Sequence, residues 1–168
     1  MIILDGKYLD DERYRTYYLS IKMRRRLMNP AAPFEPAGID HVVLRVADVP
    51  RALAFYEDVL GAKLERNQQD IGLLQLRFGT ALIDLVDVGG PIGRRGGPAP
   101  GLAGRNMDHL ALAIRPFDRA KLHAHFAAHG VAIGGESEDN YGATGESPSL
   151  YIHDPEGNMI ELMGPGKR

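Results

Sequence analysis

IDHVVLRVADVPRALAFYEDVLGAKL, residues 39–64, and MDHLALAIRPFDRAKLHAHFAAHGVAI, residues 107–133, are two versions of one pattern. Each opens on an Asp-His pair at the head of an alternating strand. Each then runs into a helix, meets a glycine and resumes as a second strand. The spacing agrees: His41 and His109 stand 68 residues apart, and Gly61 and Gly130 stand 69 apart. The first helix, about residues 49–60, carries Leu53, Tyr56 and Leu60 on one face, and the second, about 117–129, carries Leu122, Phe126 and His129. Three strand candidates follow each helix, at about 62–67, 71–78 and 80–88 and at about 131–134, 148–153 and 158–163. Each half reads β-α-β-β-β and is too short to bury much core alone. The pattern predicts an α+β fold: two βαβββ modules forming a curved, mostly antiparallel eight-stranded sheet around a cavity, with a helix outside each half.

Glycine and proline mark the boundaries. Residues 89–104, GGPIGRRGGPAPGLAG, hold seven glycines and three prolines, so most positions refuse regular structure. The expected order is a first module over 39–88, a Gly/Pro-rich linker over 89–105 and a second module over 106–164. Residues 1–38 form an N-terminal extension, within which 10–28 read as a helix with acids at its start and bases at its end, complementing the helix dipole. A helix packing on the core or on another subunit is expected there. Residues 134–148 contain four glycines among polar residues and read as a long loop, with 140–145 as a candidate lid.

The chain of 168 residues is 44% apolar and 25% charged, with a net charge of −2. That balance gives no general attraction to nucleic acid or to an anionic membrane. No apolar run approaches the ~18 residues of a spanning helix. The N-terminus has no signal-peptide core, so a cytoplasmic address is expected. The absence of cysteine excludes a disulfide scaffold, a thiol nucleophile and Cys-based zinc or iron–sulfur sites. Any metal must be held by His, Asp and Glu.

Strand parity places such residues together. Val42, Leu44 and Val46 oppose His41, Val43 and Arg45; Leu110, Leu112 and Ile114 oppose His109, Ala111 and Ala113. Ile83 and Leu85 oppose Leu82, Asp84 and Val86, and Ile160 and Leu162 oppose Met159, Glu161 and Met163. In all four strands the aliphatic face suits the helix, and the other face carries one His or carboxylate. Taken singly, each histidine reads as a hydrogen-bonded strand residue and each acid as a solvated one. Taken as a symmetric set, His41, His109, Asp84 and Glu161 suit a divalent ion, Zn, Ni, Co, Mn or Fe, at the centre of the cavity.

From Ile39 to Gly164 the chain resembles the vicinal oxygen chelate superfamily of glyoxalases, bleomycin-resistance proteins and dioxygenases. The motifs that carry the resemblance are residues 39–64, MDHLALAI (107–114) and SLYIHDPEGNMIEL (149–162), the last similar to the family's Asp-Pro-x-Gly-Asn-x-Ile-Glu-Leu signature. The longer string from Gly142 to Leu162 is similar to the glyoxalase-domain subgroup. The resemblance implies paired βαβββ modules around a metal, with His41, His109 and Glu161 as ligands. Position 84 is Asp where glyoxalase I has Glu, one methylene longer. Asp84 therefore suits coordination through water, or the role of a base.

The function this implies is a metal-dependent, glyoxalase-like lyase or isomerase acting on a small oxygen-rich molecule, with proton transfer at a metal-chelated enediolate and Glu161 or Asp84 as the base. Two alternatives stand beside it: an Fe(II) extradiol-type dioxygenase needing only His41, His109 and Glu161, and a metal-free small-molecule binding or resistance protein of the same fold. The expected partners are the substrate and a second copy in a homodimer. Arg45 and Tyr151 share the cavity parity and are candidate substrate-binding residues, with a structural ion pair as the other reading of Arg45. Asp154 to Asn158 read as a strand-connecting turn. His125 and His129, four apart on a helix, and Arg94 and Arg95 in the linker read as solvated.

Overall fold

The computed structural model describes residues 16, 17, 19, 20, 34–101 and 103–167. The chain divides at Gly38 into an N-terminal unit and a unit spanning Ile39–Arg168. In the first, residues 16, 17, 19 and 20 are helical, and Ser20 Oγ donates to the Tyr17 carbonyl at 2.7 Å. The rest of the helix expected over 10–28 lies outside the described residues.

The second unit begins with β1 (His41–Val46) and α1 (Val49–Ala54), which continues as a π-helical turn (Phe55–Val59). Then come β2 (Lys63–Gln68), β3 (Leu73–Phe78) and β4 (Ala81–Asp87). After a 3-10 turn (Gly93–Gly96) the order repeats as β5 (His109–Ala113), α2 (Arg119–Ala128), β6 (Gly135–Gly142), β7 (Gly145–His153) and β8 (Met159–Met163). Among the described residues no helix is long and apolar enough to cross a membrane.

The two modules share their local devices. Asp48 caps α1 by accepting from the Arg51 N–H at 3.1 Å, and Asp118 caps α2 by accepting from the Lys121 N–H at the same distance. Gly61 and Gly130 follow the helices with φ of +70° and +67°, the left-handed conformation that ends a helix without a Cβ penalty. In the π turn, neighbouring residues subtend a smaller angle than in an α-helix. Phe55 and Tyr56, adjacent in sequence, are both buried there.

The strands form two four-stranded mixed sheets, ordered β1-β4-β3-β2 and β5-β8-β7-β6. The end pairs β1/β4 and β5/β8 are parallel, and the remaining pairs are antiparallel. The aliphatic parity of the sequence is the core: Leu44, Val46, Ile83, Leu85, Leu112, Leu150, Ile152, Ile160 and Leu162 are buried with Tyr56 and Phe126. The modules also interlock through polar groups. The Tyr56 hydroxyl donates to Asp154 Oδ2 at 2.9 Å, the Asp48 N–H donates to Glu156 at 2.9 Å, and His125 Nε2 donates to the Val59 carbonyl at 2.9 Å.

One segment differs from expectation. Residues 131–134 are not a strand; the second strand of this module is β6, inside the stretch read as a loop. Residues 140–145 are not an irregular loop but the end of β6, a tight turn and the start of β7, paired Gly142 to Gly145. β6 is an edge strand with alternate residues in solvent, so its sequence, GESEDNYG, carries none of the aliphatic pattern by which strands are read.

Candidate functional site

Each histidine of the predicted set is oriented by the residue before it. His41 Nδ1 donates to Asp40 Oδ1 at 2.6 Å, and His109 Nδ1 donates to Asp108 Oδ2 at 2.7 Å. An ionised carboxylate only accepts, so each Nδ1 carries a proton, and in the neutral form of either ring Nε2 is the nitrogen with the lone pair. This is the carboxylate–histidine arrangement that fixes an imidazole for a metal. The bond from Asp40 is the main reason His41 holds its proton more tightly than usual, against some desolvation and with help from the charges of Asp84 and Asp40.

The carboxylates repeat the same register. Asp84 lies opposite Val43, and Glu161 lies opposite Ala111, so each acid is paired with the residue two beyond its histidine. Asp84 is 3% exposed; its Oδ2 accepts from Gln75 Nε2 at 3.1 Å, and its Oδ1 is buried with no hydrogen-bond partner. Glu161 is 5% exposed and differently held. Its Oε1 accepts from the Tyr151 hydroxyl at 2.6 Å and from Asn140 Nδ2 at 2.8 Å, while Oε2 stands 3.4 Å from His109 Nε2. Burial alone pushes this carboxyl up, but the bonds from Tyr151, Asn140 and Ser149 and the charge of His109 together hold it below the usual carboxylate range. Burial, then the bond to Glu161, raises the Tyr151 phenol.

His109 and Glu161 thus meet in one module, and Asp84 lies within electrostatic reach of His41 in the other. Within one chain the two pairs do not join: among the described residues no three His, Asp or Glu side chains come together as a metal-holding group. The donors themselves fit a divalent cation, with two imidazole lone pairs, one buried carboxylate oxygen lacking any donor and one Glu161 oxygen left free of the clamp.

Other sequence candidates have partners inside the chain. The Arg45 guanidinium donates to the carbonyls of Gly93, Gly96, Gly97 and Pro98 at 2.7–3.0 Å, holding the linker against β1. Arg94 Nε donates to the Gly89 carbonyl at 2.6 Å. His125 is part of the interlock between modules and is not a solvated residue. Asp154 makes the expected turn, accepting from the N–H groups of Glu156 and Asn158, and adds the bond from Tyr56. Sequence reading missed Asp40 and Asp108, whose signal was the repeated Asp-His pair, and Gln75, whose cavity parity was available. It also missed Asn140, which it assigned to a lid.

The profile of the Glyoxalase/Bleomycin resistance protein/Dioxygenase superfamily matches residues 38–162. The chain is 33% identical over 125 residues to virulence protein STM3117 of Salmonella typhimurium, covering 74% of this chain and 81% of that protein. The crystal structure of STM3117 superposes with a TM-score of 0.61 at 28% identity, covering 79% of this chain and 99% of that one. Lactoylglutathione lyase of Agrobacterium tumefaciens shares the fold at 24% identity, with a TM-score of 0.55 over 78% and 96% of the two chains. So does a variant of the fosfomycin resistance protein FosX of Listeria monocytogenes, complexed with Mn(II) and a dihydroxypropylphosphonic acid, at 20% identity and a TM-score of 0.58 over 79% and 93%. With paired βαβββ modules, a matching profile over most of its length and a relative of this similarity, the chain belongs to the glyoxalase/bleomycin resistance protein/dioxygenase superfamily.

Proposed function

We propose that the chain is a metal-dependent lyase or isomerase of the glyoxalase type, moving a proton between neighbouring atoms of a small oxygen-rich substrate. The observation that carries this reading is Asp84 Oδ1, a buried carboxylate oxygen with no donor, on the sheet face it shares with His41. Such an oxygen is costly to bury unless a cation or a proton completes it. His41, His109 and Glu161 would hold the ion, and Zn, Ni, Co, Mn or Fe suits this mixture of nitrogen and oxygen donors. When bound, the ion supplies Lewis-acid polarisation of two adjacent substrate oxygens. Asp84 Oδ1 is then placed to accept a proton from the substrate and return it one atom away, a step worth ~10²–10⁴ in rate. The two histidine–carboxylate pairs lie on separate sheets, so the reading includes a homodimer in which the first module of one copy meets the second module of the other.

Asp84→Asn tests it, because the substitution keeps size and removes the base. The variant is expected to fold and to retain some metal. Turnover of a hemithioacetal or a related carbonyl substrate should fall by at least ~10²-fold. Fe(II)-dependent oxygen uptake with a catechol, unchanged in Asp84→Asn, would instead assign a ring-cleaving dioxygenase. A melting temperature that neither chelator nor added metal moves would assign a metal-free binding protein.

A further inference from the structure

We infer that Tyr151 and Asn140 are positioning residues that hold one oxygen of Glu161 and so present only the other to the cavity. This rests on the metal-site reading above and adds to it an assignment of how the ion is gripped.

The arrangement is built by strand register. Tyr151 on β7 lies directly opposite Glu161 on β8, and its hydroxyl has one proton, which goes to Oε1 at 2.6 Å. Asn140 reaches the same oxygen from β6, immediately after the register shift between Ser137 and Asn140. A bulge of this kind re-aims a side chain. The Asn140 amide nitrogen is also 2.7 Å from the Tyr151 hydroxyl and 2.8 Å from Ser149 Oγ, so its two N–H groups are shared among three acceptors. Turning the carboxylate to offer both oxygens to a cation would break the bonds from Tyr151 and Asn140 together.

The first module has the same plan with a looser grip. Gln75 on β3 lies directly opposite Asp84 on β4 and donates to Oδ2 at 3.1 Å. Gln68 on β2 donates to Gln75 Oε1 at 3.2 Å and not to the carboxylate. One acid is therefore held from two strands, and its counterpart from one. Glu161 is a fixed ligand through Oε2, whereas Asp84 can turn about its last torsion with the loss of a single bond.

The test uses Co(II), whose visible absorption reports the number and kind of its ligands, with the full-length protein. Tyr151→Phe removes the hydroxyl and keeps the ring; Asn140→Ala removes the second donor from an edge strand. Tyr141→Phe, on the exposed end of β6, is the control. Each of the first two variants should bind Co(II) ~10-fold or more weakly by calorimetry. Each should also change the Co(II) spectrum, in the direction of higher coordination, while the metal-free protein keeps its circular dichroism. If Tyr151→Phe fails to fold, Asn140→Ala carries the same two readouts. Variants with wild-type affinity and an unchanged spectrum would overturn this inference and leave the metal site standing. Variants that only lower the metal-free melting temperature would also overturn it, by making the contacts structural. Wild-type protein that takes up no Co(II) would overturn both this inference and the reading on which it rests.

Discussion

A guanidinium offers five N–H donors in a rigid fork, and at Arg45 four of them end on carbonyls between Gly93 and Pro98. Gly96 can approach only because it lacks a Cβ, which would stand 2.5 Å from Arg45 Nε. Lysine carries three donors on one atom and cannot bridge this spread. Arg45→Lys should therefore cost about 1–2 kcal/mol and open residues 93–98 to protease, which denaturant melts and timed digestion would measure. A proteolysis rate equal to that of the parent would show that the linker is held by other means. Strand parity was enough to put Arg45 on the same face as His41. It could not name the partners, because backbone carbonyls 48–53 residues away leave no mark in the side-chain pattern. The same limit explains Asp40 and Asp108: the repeated Asp-His pair was visible, but the bond that fixes each imidazole is a matter of side-chain torsion.

Among the elements, strands with an aliphatic face were readable, and the polar edge strand β6 was not. β1, β4, β5 and β8 bury such a face and fall where alternation places them, whereas β6 pairs on one side only and is polar throughout. The helix over 49–60 was legible, but its change to a π turn at Phe55 was not, since the spacing of Leu53, Tyr56 and Leu60 reads as an ordinary α-helix. Tyr56 is fully buried, and desolvation, then the Asp154 charge and hydrogen bond, push its phenol far above the ordinary 10.0. Below pH 10 the hydroxyl is neutral in both folded and unfolded chains and the full stabilisation is present. Above it the unfolded chain releases this proton while the folded chain keeps it, so stability falls as pH rises. The slope should reach about 1.4 kcal/mol per pH unit from this group. Tyr56→Phe should be less stable at pH 8 by about 1–2 kcal/mol, because Asp154 loses a buried donor, yet its stability should decline less between pH 10 and 11. Parallel declines in urea melts of the two proteins would refute the assignment.

For the whole molecule, the two histidine–carboxylate pairs lie on separate sheets. If the first module of one copy faces the second of another, chains lacking His41 and chains lacking His109 should complement each other. A randomly mixed C2 dimer then regains roughly a quarter of the wild-type metal sites, because half the dimers are mixed and each of those holds one intact site. Metal titration of His41→Ala and His109→Ala, refolded separately and together, would show it; no recovery on mixing would rule out a site shared between copies. The turn at Asp154 adds a kinetic consequence. It binds the first module through Tyr56 and, seven residues on, β8 carries Glu161. The strand bearing the carboxylate cannot peel from its sheet without breaking that buried bond, so local opening of the hairpin is suppressed. The backbone amides of Asn158 and Glu161 should then exchange with deuterium only through global unfolding, with one shared protection free energy that bound metal raises.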